Sequence, residues 1–384
     1  MAHPSPEISP AISPKQPPEA TPLLTLGDWA YRAIASHYHS AIAHEAGTIA
    51  DQDPEELHQL RVGLRRLRSA VTGFAIALDW PNDASERLIG RFGRTFGGLR
   101  DLDVMGATLK GYRKGDLPKG ERQRLDQALK HLRDRRRMAY RQTLKALGSK
   151  PYHRFKVAVQ TWLETPQYAP SARYGADRAI PDLLLPETAR FLIHPAWTIA
   201  PTDPATANRD SFGGLALDTW NCLHDLRKQA KRLRYQMALI DGFYGQTLAP
   251  HVKLIAEVQE VLGNLQDSAV LEDFLKAADL KLPKDLPTLH QWLQGDRADN
   301  WTRWQALRDH YADATTCQTL RQLIATSVTP PPPKEPAPEP AAKATKTTGA
   351  TGRKTTPRRR TKPAPAPESL NTESPSPESP SQDN

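Results

Sequence analysis

Only two cysteines, Cys222 and Cys317, occur in 384 residues, and neither stands at metal-ligand spacing. A disulfide framework is not expected, and a reducing compartment fits this usage. No apolar stretch approaches the roughly 18–20 residues that a spanning helix requires. The N-terminus has no basic start followed by an apolar core, so no signal peptide is expected and a cytoplasmic location follows. Also missing are a glycine-rich phosphate loop beside Lys-Ser/Thr and a carboxylate cluster for Mg²⁺; Asp101 and Asp103 alone are a thin basis for one. Period-two alternation bounded by hairpin turns is absent throughout, which excludes a β fold and leaves an all-α one.

What is abundant is positive charge and, at the ends, proline. The net charge is +9 and the pI near 9.5. Residues 1–22 are rich in Pro, Ser and Glu, and residues 329–384 are Pro, Ala, Lys, Thr and Ser with few large apolar groups. Such segments bury too little surface to offset the entropy of ordering them, so both ends are expected to be disordered. The tail from Thr329 contributes 9 Lys/Arg against 6 Asp/Glu, so most of the excess charge belongs to the folded part. That points to a polyanionic partner, with nucleic acid, an anionic membrane surface and polyphosphate all open.

Apolar residues recur at three- and four-residue intervals, predicting helices over 25–50, 54–79, 84–110, 121–147 and 151–164, then 213–242, 246–277, 286–295 and 298–327. Asp53 before Pro54, with Glu55 and Glu56 behind it, is a helix start: a capping side chain, proline in the first turn, and acids at the positive end of the dipole. Trp80-Pro81-Asn82-Asp83 is expected to terminate that helix. Between them, 166–212 carries seven prolines and reads as an ordered connector with one short helix. The expected units are a first bundle at 23–165, this connector, and a second bundle at 213–328.

One basic helix is written twice. His58-Gln-Leu-Arg61-Val-Gly-Leu-Arg65-Arg66-Leu-Arg68 returns as His224-Asp-Leu-Arg227-Lys-Gln-Ala-Lys231-Arg232-Leu-Arg234, and Gly97-Gly-Leu-Arg-Asp101 returns as Gly263-Asn-Leu-Gln-Asp267, every pair 166 residues apart. Two motifs keeping one offset imply a duplicated unit. With His58 at zero on a helical wheel, Arg61, Arg65 and Arg68 fall at about 300°, 340° and 280°, beside an aliphatic stripe of Leu60, Leu64, Leu67 and Val71. In the second copy, His224, Arg227, Lys231 and Arg234 form the stripe beside Leu226, Ala230, Leu233 and Met237. Like charges at this spacing repel by a few tenths of a kcal/mol per pair, and compensating acids are scarce, with only Asp225 inside either copy. A solvated charged face is the bland explanation; a track for repeated phosphates, which guanidiniums bind in pairs, is the functional one. The histidines either serve helix packing or lie at the anion site, and Asp101 and Asp267, at matching positions, are candidates to orient the cations or the histidines.

Other signals are weaker. Arg87, Arg91 and Arg94 share much of a helix face; Lys253 matches Arg87, but Glu257 and Glu260 replace the other two. Arg133, Arg135, Arg136, Arg137 and Arg141 form a dense basic run. Secondary anion contacts are assigned to Arg87, Arg100, Lys253 and Arg137. His37 and His44 share a face, but no third ligand joins them, so no metal site is expected. Trp29, Trp80, Trp162, Trp220, Trp301 and Trp304 read as core.

The paired motifs, H-x-L-R-x-x-x-R-R-L-R with G-G-L-R-D-L-D-V, then H-D-L-R-K-x-x-K-R-L-R-Y with L-G-N-L-Q-D, resemble the CHAD family, named for its histidine-containing α-helical domain. The connector Leu184-Leu-Pro-Glu-Thr-Ala-Arg-Phe-Leu-Ile-His-Pro-Ala-Trp197 is similar to that of cyanobacterial members. The resemblance runs from about Leu24 to Ser327. It implies two four-helix bundles related by a pseudo-twofold axis, with a basic groove or pore between them that binds inorganic polyphosphate through His58, Arg61, Arg65, Arg68, His224, Arg227, Lys231 and Arg234. One departure from internal symmetry is Gln266 opposite Arg100. The ExExK signature of triphosphate tunnel enzymes is absent, so the expectation is a binding protein, not an enzyme, needing no cofactor and associated with polyphosphate granules. The alternatives are a phosphohydrolase or metal-dependent nucleotide enzyme, and a nucleic-acid binder anchored by the basic tail; against the latter, the stripe has no aromatic before Tyr235.

Overall fold

The structure is a computed structural model that describes residues 24–200, 217–244 and 247–326; the two expected disordered ends, residues 201–212 of the connector and the expected helix start at 213–216 lie outside the described residues. The chain is all-α. Helices α1 (Leu26–Ala43), α2 (Glu45–Ala50), α3 (Pro54–Gly73), α4 (Glu86–Lys114), α5 (Lys119–Leu147) and α6 (Lys150–Glu164) come before the connector helix α7 (Ala176–Leu192). After it stand α8 (Leu217–Leu239), α9 (Asp241–Tyr244), α10 (Ala249–Ala277), α11 (Leu282–Asp285), α12 (Pro287–Ala312) and α13 (Ala314–Ala325). Among the described residues no strand forms; two isolated backbone bridges, Thr25–Gly175 and Leu78–Tyr168, tie the connector to the first half.

Several predicted boundaries shift for identifiable reasons. Asp53 caps α3 as the sequence requires, accepting from the Glu55 N–H at 2.8 Å. That helix stops at Gly73, not at Trp80, because Ala75–Ala77 tightens into a 3₁₀ turn. The predicted 25–50 helix breaks at His44, whose own N–H returns to Ala41 O and Ile42 O. The segments 286–295 and 298–327 instead form one helix to Ala312 and a second one capped by Asp313, which accepts from the Thr316 N–H. The connector's helix is longer than expected, 17 residues with Pro181 and Pro186 inside it. Each internal proline costs about 3 kcal/mol. Burial of Ile180, Leu184, Phe191 and Leu192, each returning roughly 1.5–3 kcal/mol, outweighs that.

Helix α3 packs against α1, α4 and α8, and α8 against α7 and α10. The α1–α3 crossing is close because residue 63 is glycine: a Cβ there would lie 2.6 Å from Ala41 Cα.

Two apolar cores form, and both draw on both halves of the sequence. The larger joins Leu60, Leu64, Leu67, Phe96 and Leu99 to Leu226, Leu233, Leu262, Leu265 and Trp304. The smaller joins Met105, Leu109, Leu125 and Leu132 to Leu271, Phe274, Leu289 and Leu293. Glu121 of α5 stitches the smaller core, its buried carboxylate accepting from the Thr288 and Leu289 N–H groups at the start of α12, where the helix dipole favours an anion. Trp162, Trp301 and Trp304 are buried, and Trp29, Trp80 and Trp220 pack against the larger core, as their sequence positions predict.

Between the cores runs a polar belt. On α4 it consists of Arg100, Asp101 and Asp103, flanked by Leu99 in one core and Met105 in the other. On α10 it consists of Gln266, Asp267 and Ser268, flanked in the same way by Leu265 and Leu271.

Candidate functional site

The repeated helices α3 and α8 contact each other, so the two basic rows approach one another. Gln236 Nε2 of α8 donates to the Ser69 carbonyl of α3 at 3.4 Å. The Arg65 guanidinium lies 4.7 Å from the centre of the Tyr235 ring, and that of Arg234 lies 5.0 Å from the same centre. Arg234 Nη2 also donates to the Tyr235 hydroxyl at 3.1 Å. An arginine from each row therefore meets on one aromatic side chain.

Seven of the eight stripe residues are half-buried, and Arg227 is only 5 % exposed. A row on an open helix face would be more exposed than this. Burial lowers the tendency of Arg227 to hold its proton, and the carboxylates of Asp267 and Asp101, one from each half, oppose that effect along with Tyr235. The charges of the two matching aspartates thus both act on one guanidinium.

The cations are not equivalent. Arg68 Nε donates to Glu86 at 2.5 Å, so an internal carboxylate neutralises it. Spacing within the motif does not signal this partner, because Glu86 stands on the next helix. Arg61 Nη1 donates to the Gly93 carbonyl at 3.3 Å, and its guanidinium lies across α4 over Gly97, where a Cβ would overlap Nη1. The first glycine of the repeated motif makes room for an arginine of the repeated helix. Gly97→Ala should therefore leave the fold intact, since the flexible end of Arg61 can move aside. On the expectation that the stripe binds a polyanion, the substitution should weaken that binding by up to about tenfold by displacing one charge-assisted contact, as titration would show.

His224 Nδ1 lies 3.0 Å from Gln266 Oε1, which fixes the proton on Nδ1 and leaves Nε2 to take one up. Burial pulls this imidazole below its usual range, the Gln266 bond pulls up, and Lys228 and Arg227 add to the lowering. Asp225, the acid inside the second copy, instead meets Lys228 at 3.0 Å and His194 of the connector at 3.3 Å. His194 Nδ1 accepts from the Ala196 N–H, so Nε2 is the nitrogen that donates to Asp225.

Arg136 belongs to a structural lock: its Nε donates to Asp103 at 2.6 Å, and its two Nη groups donate to Asp51 at 2.8 and 2.6 Å. Arg297 on α12 serves likewise, donating to Ser268 and Glu272. Of the residues assigned to secondary contacts, Arg100 lies in the belt, whereas Arg87 and Lys253 occupy exposed positions. Arg137 is 67 % exposed on the outer side of α5, 3.7 Å from Asp134. Arg91 and Arg94 are exposed, and Glu257 and Glu260, which replace them in the second half, both pair with Arg303 at 3.3 Å.

Among the described residues no cluster of three or more potential metal ligands occurs, and no helix is long and apolar enough to cross a membrane. His44 Nδ1 pairs with Glu56 at 2.9 Å. Burial first, and then the nearby Arg66 charge, pushes His37 down to about 4. The folded state thus disfavours the protonated form; the stability that neutral His37 provides is complete above pH 6.5 and is lost as pH falls toward about 4. Urea titrations from pH 7 to pH 4 should show this loss, worth up to about 3 kcal/mol, and His37→Gln should flatten it.

The CHAD domain family matches residues 32–276. The chain belongs to the CHAD family. Two solved structures share the fold. The crystal structure of the CHAD domain from the plant Ricinus communis is similar at TM-score 0.51 and 22 % identity, over 80 % of this chain and 94 % of that one. PptA from Streptomyces chartreusis is similar at TM-score 0.53 and 18 % identity, over 78 % and 99 %. No curated protein matches the chain.

Proposed function

We propose that this CHAD protein binds inorganic polyphosphate, without hydrolysing it, in the recess between α3 and α8. The observation that carries the reading is the meeting of Arg65 and Arg234 on Tyr235, which brings two rows of cations to one place. A chain of phosphates carries one charge per unit at regular intervals and rewards a row of fixed guanidiniums. The 166-residue offset supports treating the two rows as copies related by an internal twofold. His58, Arg61, Arg65, Lys231, His224 and Arg234 are assigned to the anion; Arg227 and Arg68, each facing carboxylates, hold the recess in shape and lend charge at shorter reach. Arg100 extends the site along the belt, and Arg87, Lys253 and Arg137 draw the polyanion in from outer faces.

The test is titration of the full-length protein with long-chain polyphosphate at physiological ionic strength, with duplex DNA as competitor and phosphate release followed in Mg²⁺. The reading requires saturable binding that weakens steeply with salt, poor displacement by DNA and no phosphate release. A protein that is folded and fails to bind, or that prefers DNA, contradicts it.

A further inference from the structure

Tyr235 stands in the basic recess yet has no counterpart there: the position 166 residues earlier is Ser69. One ring, 8 % exposed, serves both halves. Arg65 reaches it from α3 and Arg234 from the adjacent position on α8. The Nε atoms of Arg65 and Arg234 are buried without a hydrogen-bond partner. No ion pair of either residue is found among the described residues, in contrast to Arg68 with Glu86.

A carboxylate fixes an arginine by cancelling its charge. An aromatic face also fixes it, through the ring quadrupole and through stacking on the planar guanidinium, and leaves the full charge available. We propose that Tyr235 is a positioning residue that holds Arg65 and Arg234 across the boundary between the halves while keeping both fully cationic for a phosphate chain. The inference rests on the polyphosphate reading and adds to it the device that sets the spacing of the two rows. A ligand bound here meets a preset pair of charges, so less side-chain entropy is lost on binding.

The experiment compares full-length wild type with Tyr235→Phe, Tyr235→Leu and a series carrying progressively fluorinated phenylalanine at 235, with long-chain polyphosphate as the probe. Fluorination keeps the ring's shape while draining its negative face. Tyr235→Phe loses only the hydroxyl that accepts from Arg234 and should bind within about twofold of wild type. Tyr235→Leu should bind about tenfold more weakly, with an unchanged salt slope because no cation is removed. Affinity should fall stepwise along the fluorinated series, which also covers the case in which leucine is not tolerated. In an Arg65→Ala/Arg234→Ala background, substitution at 235 should change nothing further. If wild type binds and affinity is indifferent to fluorination, or the loss persists in that background, the positioning role is overturned while the polyphosphate reading stands. If folded wild type does not bind, both fall.

Discussion

Replacing Arg65 and Arg234 together by alanine should lower affinity for long-chain polyphosphate by about a hundredfold or more. The figure follows from roughly 1.5 kcal/mol for each charge-assisted contact removed, with tenfold per 1.4 kcal/mol. Neither side chain is found in an ion pair among the described residues, so their loss exposes no orphaned carboxylate and should leave thermal stability nearly unchanged. The control removes the same charge elsewhere. Arg133 and Arg141 are exposed on α5, and their double alanine variant should bind within a few-fold of wild type. Arg68→Ala should have a smaller effect than Arg65→Ala, because Glu86 already opposes its charge. Isothermal titration at two salt concentrations distinguishes these cases. Equal losses for the groove and α5 pairs would mean that bulk charge, not the recess, attracts the ligand.

Arg136→Ala should produce the largest stability loss of the basic residues discussed, about 2–3 kcal/mol by urea unfolding. Its guanidinium pairs with two carboxylates at once, and the Asp103 side chain beneath it is only 8 % exposed. Burial already pushes Asp103 above the usual carboxylate range, while Arg136 pulls the other way through its hydrogen bond and charge. Without the arginine a buried carboxylate is left uncompensated. Arg136→Lys keeps the charge but not the fork that spans Asp51 and Asp103, so an intermediate loss is expected. Polyphosphate affinity of the folded variant should be close to wild type, which separates a lock from a ligand.

These two predictions mark what sequence alone can and cannot convey here. Helical periodicity and a fixed offset are properties of the one-dimensional string. They revealed the all-α class, the cation stripes, and the aliphatic faces headed by Leu60 and Leu226 that the structure buries. Partners contributed by another helix are not encoded in local spacing. Glu86 opposite Arg68 and the Asp51–Arg136–Asp103 bridge lie in different elements, and nothing along the chain pairs them. Arg136 and Arg137 are neighbours in one basic run, yet the helix turns one inward to a pair of aspartates and leaves the other in solvent. Gly97 was legible as a repeated residue but not as clearance for Arg61, and Tyr235 closed the second motif without revealing that an arginine from the first would rest on it. Proline likewise misled at 181 and 186, where apolar burial outweighs the lost helix hydrogen bonds.

A crystal structure of the full-length protein with a short linear polyphosphate tests the central claim most directly. Phosphates lying between Arg65 and Arg234, and running from there toward His224 and Lys231, are the predicted result. Phosphates bound only along the outer side of α5, with the α3–α8 recess closed to them, would contradict it.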